Sequence, residues 1–306
     1  MQVDLKLPRL AATRLGMRGI FVFLFALACA VPAAAQTSIT LNADPVPIVD
    51  ATINGRPVRL EVDLRMPAGL ALSQAAAERL RVRRVPFLAI GIALEGGSSM
   101  RGRIARPRVV VGAEDARAWT GIFPAPVTRR ADGVIGPGSL PYDIVTIVLG
   151  PERADARSIE FPVAQGDNNY WMAEAQTGGE AVLVLFNVGG AQTILNRTAA
   201  RRFDASGAIT SNGELVNTHY MLGLSTMMQP VQTELTIQGI GFATTLARTN
   251  APLMGADEED AVVVQGEAAD PPRPGVAIGR EALDRAGCTS ISVDRRVRRM
   301  TLRCAP

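Results

Sequence analysis

The chain has 306 residues, of which 47% are hydrophobic and only 5% aromatic, enough to build one large or two ordinary domains on aliphatic cores. Its 29 glycines and 20 prolines favour many short strands joined by turns and argue against a bundle of long helices. The net charge of +3 resides entirely in the first 35 residues; the remainder holds 28 of the 32 basic and 28 of the 29 acidic residues. These arginines are scattered and not interleaved with aromatics, so we expect no nucleic-acid partner.

Residues 1–35 have the order of a secretory signal peptide. Two arginines precede the apolar stretch 19–29, and the small residues Ala33–Ala35 follow it. The apolar stretch is shorter than the ~20 residues that a membrane span needs. We therefore expect cleavage before Gln36, no membrane span in the processed chain, and a periplasmic or secreted protein.

The first unit after this segment is a hairpin followed by a loop, a short strand and a short helix. Asn54-Gly55 is a strong turn signal for a two-residue hairpin, and its second strand leads into Asp63. The predicted elements are Val49–Ile53, Val58–Val62, Gly69–Ser73 and Ala75–Leu80. Further on, alternation over Ile104–Gly112 predicts a strand, and Val134-Ile135-Gly136 precedes a strand over Ile144–Leu149.

The second half of the chain repeats this order. A Gly178-Gly179 turn separates two predicted strands, the second of which ends at Asn187, and a short loop, a strand and an Ala/Arg-rich helix follow. The loop after Asp63 is one residue longer than the loop after Asn187. The elements here are Trp171–Ala175, Ala181–Phe186, Thr193–Asn196, Ala199–Phe203, Val231–Gly239 and Ala277-Ile278-Gly279. The matched order indicates an internal duplication with lobes over 37–160 and 161–306.

Two cysteines, Cys288 and Cys304, remain after the signal peptide is lost. An even number of cysteines in an exported protein predicts a disulfide between them. We expect a hairpin turn over Asp294–Arg298 that pairs Val293 with Arg299 and so places the two cysteines opposite each other. With no CxxC motif or Cys/His cluster, we expect no structural metal and no cofactor.

These motifs resemble the retropepsin-like and pepsin-like aspartic peptidases. In that family each lobe carries a catalytic Asp after an apolar strand, and a hydrophobic-hydrophobic-Gly segment passes beneath it. The resemblance implies a mostly β, two-lobed acid-protease fold. It places Asp63 at the first catalytic position and Asn187 at the second. Gly136 and Gly279 correspond to the glycines of the supporting segments, and Gly189 keeps the glycine of the second catalytic loop.

The departures from the family pattern affect the catalytic dyad itself. Two carboxylates about 3 Å apart share one proton, which lets one accept a proton from water while the other polarises the peptide carbonyl. Asn187 cannot accept that proton, although its amide can donate a hydrogen bond. Leu64 replaces a hydroxyl residue, and Arg65 replaces a glycine and brings a guanidinium near the carboxylate of Asp63.

The expected function is thus an exported, monomeric aspartic-peptidase-like protein with impaired catalysis, whose interlobe cleft binds a peptide or protein segment. One alternative is an active aspartic endopeptidase that uses Asp63 with an unconventional partner. Another is an unrelated β-rich periplasmic binding protein. His219 is the only histidine, and together with Tyr220 we expect it to pack half-buried in a hairpin. No nucleophile elbow and no phosphate-binding loop is present, so neither a serine hydrolase nor a nucleotide-binding protein is expected.

Overall fold

The chain is built mainly from β-strands in the computed structural model, which describes residues 36–93, 98–164, 171–248 and 273–306. The predicted signal peptide, 1–35, lies outside the described residues. Residues Thr37–Pro306 form one compact unit. No helix within the described ranges is long and apolar enough to cross a membrane.

Twelve strands precede residue 163 in the described part of the chain, together with a short helix and a 3₁₀ turn. They are β1 (Ser38–Asn42), β2 (Ile48–Ile53), β3 (Arg56–Val62), β4 (Leu70–Ser73), α1 (Gln74–Arg79), β5 (Arg84–Ala93), β6 (Ser99–Ala105), β7 (Arg108–Val111), β8 (Glu114–Arg117), β9 (Thr120–Phe123), β10 (Gly133–Ile135), the 3₁₀ turn Pro137–Ser139, β11 (Ile144–Val148) and β12 (Arg157–Pro162).

The second half continues with the same mixture of short elements. They are β13 (Ala173–Thr177), β14 (Glu180–Asn187), β15 (Thr193–Leu195), α2 (Arg197–Ala205), β16 (Ile209–Ser211), β17 (Val216–Met221), β18 (Leu224–Thr233), β19 (Thr236–Ile237), β20 (Ile240–Gly241), β21 (Thr244–Arg248), β22 (Gly275–Gly279), α3 (Arg280–Arg285), β23 (Ser290–Asp294) and β24 (Arg299–Cys304).

Two large sheets and a shared smaller one organise these strands. The first sheet has the order β5-β6-β9-β4-β10-β3-β2-β7-β8, and the second has β13-β14-β22-β15-β21-β18-β16, with β17 paired to β18. The smaller sheet, β1-β11-β23-β24-β12, draws strands from both halves. The predicted boundary at 160/161 falls inside β12, which pairs along its length with β24. The two halves therefore share a sheet and a continuous apolar core.

The predicted hairpin at Asn54-Gly55 is confirmed. β2 pairs antiparallel with β3, and both turn residues adopt positive φ angles, 53° for Asn54 and 71° for Gly55. Asparagine and glycine tolerate that left-handed backbone better than other residues, which is why this dipeptide marks a tight hairpin.

The same three-strand arrangement occurs once in each large sheet. β10 lies between β3, to which it is parallel, and β4, to which it is antiparallel. β22 likewise lies between β14, parallel, and β15, antiparallel. The following helices also start alike: the Ser73 hydroxyl accepts a hydrogen bond from the Ala76 N–H, and the Asn196 side chain accepts one from the Ala199 N–H. The repeated order predicted from the sequence is present in the strand pairing.

Two predicted strands have different bounds in the structure. The strand expected over Ile104–Gly112 is interrupted between β6 and β7, because Pro107 lacks the N–H that a continuing ladder requires. The strand expected over Val231–Gly239 belongs to β18, which begins earlier and ends at Thr233. There the Thr233 hydroxyl accepts a hydrogen bond from the Leu235 N–H, which turns the chain out of the ladder.

Cys288 and Cys304 form the predicted disulfide. The predicted register was wrong by one residue: Asp294 pairs with Arg299 and Val293 with Met300. Cys288 lies just before β23, where its N–H donates to the carbonyl of Leu283 in α3. The bridge consequently ties the last strand to the segment that leaves α3.

Replacing both cysteines with alanine is expected to lower the free energy of unfolding by about 3 kcal/mol, because the bridge closes a loop of 16 residues in the unfolded chain. Urea denaturation of the two proteins measures the difference. A reduced wild-type sample serves as the control and should match the variant. An unchanged midpoint would show that the bridge contributes little.

Candidate functional site

Asp63 and Asn187 line the same cavity, which has a volume of about 620 Å³. Its walls come from the ends of β3 and β14, from the segment 126–130, and from the turn between β17 and β18. The structure thus brings together two polar residues that are 124 positions apart in the sequence.

Asp63 and Asn187 hold equivalent positions in the two copies of this three-strand arrangement. Val62 pairs with Ile135, and the next N–H, that of Asp63, donates to the Ile135 carbonyl at 3.1 Å. Asp63 therefore lies level with Gly136, and Asn187 is level with Gly279 in the β14–β22 ladder. Ala71 lies eight residues after Asp63, whereas its counterpart Ile194 lies seven residues after Asn187. The predicted one-residue difference between the two loops is therefore confirmed.

Asp63 is held by a two-pronged ion pair with Arg65. Its Oδ1 accepts hydrogen bonds from the backbone N–H and the Nε of Arg65, both at 2.9 Å, and its Oδ2 accepts one from the guanidinium at 2.7 Å. Each side chain is only 12% exposed. A guanidinium near this carboxylate was expected from the position of Arg65 in the sequence, and the geometry confirms it.

This pair determines the charge state of Asp63. Burial by itself would raise the pKa of Asp63, but the charge of Arg65 and its hydrogen bonds outweigh burial and hold the pKa below its usual range. The carboxyl group is therefore ionised at neutral and mildly acidic pH, with both oxygens engaged. A carboxylate in this state is a poor proton acceptor for an attacking water.

Arg65 also connects the loop to the β17–β18 hairpin of the second half. Its guanidinium donates to the Tyr220 carbonyl at 2.8 Å and lies 5.7 Å from the centre of the Tyr220 ring. Arg248 approaches the same ring at 4.8 Å. Tyr220 was expected only to pack in a hairpin; its contact with Arg65 has no signal in the sequence, because the two residues are 155 positions apart.

Asn187 is 3% exposed, and its Oδ1 is buried without a hydrogen-bond partner among the described residues. A Cβ added to Gly190 would lie 2.4 Å from the Asn187 amide nitrogen, so this side chain occupies the space beside the Gly190 backbone. Gly190 was not singled out from the sequence, although glycine is the residue type that such a close approach requires.

The predicted supporting glycines differ in how strongly the structure requires them. A Cβ at Gly136 would lie 2.0 Å from the Pro67 carbonyl oxygen, and one at Gly279 would lie 2.2 Å from the Gln192 carbonyl carbon. Both positions exclude any side chain. Gly189 is less constrained, since an added Cβ would meet only the Val46 side chain at 3.3 Å and Glu61 at 3.7 Å.

A second acidic residue, Glu61, lies in the same cavity wall and was missed by the sequence analysis. Its carboxylate accepts a hydrogen bond from the Thr128 hydroxyl at 2.5 Å and lies 3.8 Å from the Arg130 guanidinium. The cavity therefore presents two carboxylates, each already matched by a neighbouring donor. Within the described ranges, no three His, Cys, Asp or Glu side chains are grouped to hold a metal ion.

No protein-family model matches this chain, and no curated protein sequence matches it. The chemistry of the cavity residues is therefore the basis for inferring what the protein does.

Proposed function

We propose that this chain is an exported aspartic-peptidase-like protein with a two-lobed acid-protease fold, in which the catalytic dyad is lost and the cleft binds a peptide or protein segment. The observation that carries the proposal is the equivalence of Asp63 and Asn187. Each lies at the end of a strand, Asp63 directly after β3 and Asn187 as the last residue of β14, beside a glycine that admits no side chain. The two positions belong to two copies of one three-strand arrangement, and both residues line one cavity.

The proposal of lost catalysis follows from the two side chains at these positions. The amide of Asn187 can neither accept nor store the proton that the reaction moves. The carboxylate of Asp63 is ionised and has both oxygens engaged by Arg65. A general acid–base pair contributes about 10²–10⁴ in rate, and here neither member is free to act.

The proposal of peptide binding follows from the shape and chemistry of the cavity. Its volume of about 620 Å³ lies within the range of ligand-binding clefts. Apolar side chains such as Val127 and Leu222 line it beside charged ones such as Glu61 and Arg129. A mixed wall of this kind suits an extended chain that presents side chains and backbone amides together.

We expect no cleavage of a broad peptide library between pH 3 and pH 7, either by the wild type or by Asp63→Asn, because the acid–base pair is absent. Liquid chromatography with mass spectrometry of the library measures this. Cleavage by the wild type that disappears in Asp63→Asn would instead identify an active endopeptidase that uses Asp63.

Binding is tested separately with Gly189→Phe, which places a ring at the cavity wall where an added Cβ meets side chains, those of Val46 and Glu61, and no backbone atom. Retention of library peptides should fall at least about tenfold, which corresponds to about 1.4 kcal/mol. Gly150→Phe is the matched control, because a Cβ there meets nothing within 4 Å. If no peptide binds to the wild type, an unrelated β-rich binding protein becomes the better interpretation.

A further inference from the structure

The edge strand β5 carries a bulge that holds a phenylalanine fully in solvent. Arg84 pairs with Ala105 and Ala89 pairs with Arg103, so β5 advances five residues while β6 advances two. The extra residues include Phe87, which is 100% exposed and has a φ of 63°. A bulky L-residue rarely adopts this left-handed backbone conformation, and exposing an apolar ring to water is energetically unfavourable.

Exposed arginines precede the bulge in the chain and lie on the paired strand β6. We call the following residues the β5–β6 patch: Arg81, Arg83, Arg84, Phe87, Leu88, Arg101 and Arg103. Its five arginines are all exposed and form no ion pair with any residue that the structure describes. Leu88 is 42% exposed. A cationic surface with an apolar tip is therefore presented on one hairpin.

The opposite face of this hairpin is anchored in the protein. Ile92 is buried in a cluster with Phe123 and Val134, and Ile90 and Met100 pack against that cluster. Arg101 and Arg103 flank Gly102 in β6 and alternate with Met100, so they lie on the other face. The patch therefore lies on the exposed face of a hairpin whose other face packs against the core of the nine-stranded sheet.

We propose that the β5–β6 patch docks the protein onto a lipid membrane that carries anionic headgroups. Phe87 and Leu88 enter the boundary between headgroups and acyl chains, and the arginines bind the lipid phosphates. Trp119 is 52% exposed, and Arg106 lies 5.0 Å from the centre of its ring. Trp119 extends the patch, because the next residue, Thr120, pairs with Ala105, and Ala105 also pairs with Arg84. Tryptophan is enriched at membrane interfaces for its amphipathic ring. This inference is independent of the function proposed for the cleft.

The apolar pair favours a lipid surface over a nucleic acid. Single strands are held by aromatic rings on which bases stack. Phe87 offers one such ring, but the exposed side chain beside it, Leu88, offers none. Insertion of two adjacent apolar side chains between phosphates and acyl chains, in contrast, removes both from water.

Vesicle co-sedimentation tests the proposal on protein purified after export, with its N-terminus determined by mass spectrometry. The probes are vesicles of phosphatidylcholine alone and of phosphatidylcholine mixed with anionic phosphatidylglycerol. Binding is expected only to the anionic vesicles and should weaken as salt rises. Phe87→Gly should bind about tenfold more weakly, from the loss of one buried ring. Because glycine accepts a φ of 63°, this variant should melt no lower than the wild type, which separates the loss of binding from a loss of fold.

Two further variants make the test specific. Arg83→Gln/Arg84→Gln should lower affinity about fivefold for each arginine removed. Arg296→Gln/Val297→Ser changes an exposed arginine and an exposed apolar residue in the turn between β23 and β24, and should bind as the wild type does. Equal binding by Phe87→Gly and the wild type would overturn the proposal. So would stronger binding to single-stranded DNA than to anionic vesicles, or a concentration-dependent dimer that Phe87→Gly abolishes.

Discussion

Arg65→Met is expected to lower the free energy of unfolding at pH 7 by about 3–5 kcal/mol, because it leaves the buried carboxylate of Asp63 without its partner. Both hydrogen bonds from the guanidinium to that carboxylate and the one to the Tyr220 carbonyl disappear together. Urea denaturation measures the effect. Arg108→Met is the matched control, since Arg108 makes a similar two-pronged contact with Asp115 on the open surface, and we expect little change there.

The same variant should reverse the pH dependence of this site. In the wild type the folded pKa of Asp63 lies below the ordinary aspartate value of 3.8, so the stabilisation is complete above that value and is lost as the pH falls through the folded pKa. Without Arg65, burial raises the pKa of Asp63, so the deficit should be largest at pH 7 and shrink towards pH 4. Arg65→Met/Asp63→Asn should recover much of the loss at pH 7. A deficit that does not change with pH would indicate lost packing and not an unpaired charge.

The second large expected effect is a gain in the rate of peptide cleavage. Asn187→Asp alone should leave peptide cleavage at background, because Arg65 still holds Asp63 ionised and fully engaged. Combined with Leu64→Thr and Arg65→Gly, it frees Asp63 to share a proton with the new carboxylate. We expect the triple variant to exceed Asn187→Asp by at least about 10² in cleavage rate. A peptide library assayed from pH 3 to pH 7 measures both.

Two controls keep this result interpretable. Asp63→Ala in the triple variant should abolish any activity gained. Leu64 is 1% exposed in the core, so its replacement costs stability, and Asn187→Asp/Arg65→Gly keeps the core intact while removing the guanidinium. Cleavage by Asn187→Asp alone would contradict the idea that Arg65 disables Asp63.

The local elements and their repetition were predictable from the amino-acid sequence alone. Asn54-Gly55 specified a hairpin through residues that tolerate positive φ, and apolar runs specified the strands that end at Asp63 and Asn187. Glycines at 136 and 279 indicated close backbone approaches, and the cavity contains both polar residues that the resemblance singled out. These signals are readable because each depends on neighbouring residues or on the order of segments.

Contacts between residues far apart in the chain were visible only in the folded protein. The Cys288–Cys304 bridge was predictable from the number of cysteines. The predicted register of β23 and β24 was wrong by one residue, because the geometry of the turn determines it. Scattered arginines became one cationic patch only when β5 paired with β6 around a bulge. Arg65 was predictable as a neighbour of Asp63 two residues away, whereas its bond to Tyr220 depends on a hairpin from the other half of the chain. Local propensity carries no record of such pairings, since the chain folds them together through burial of a shared core.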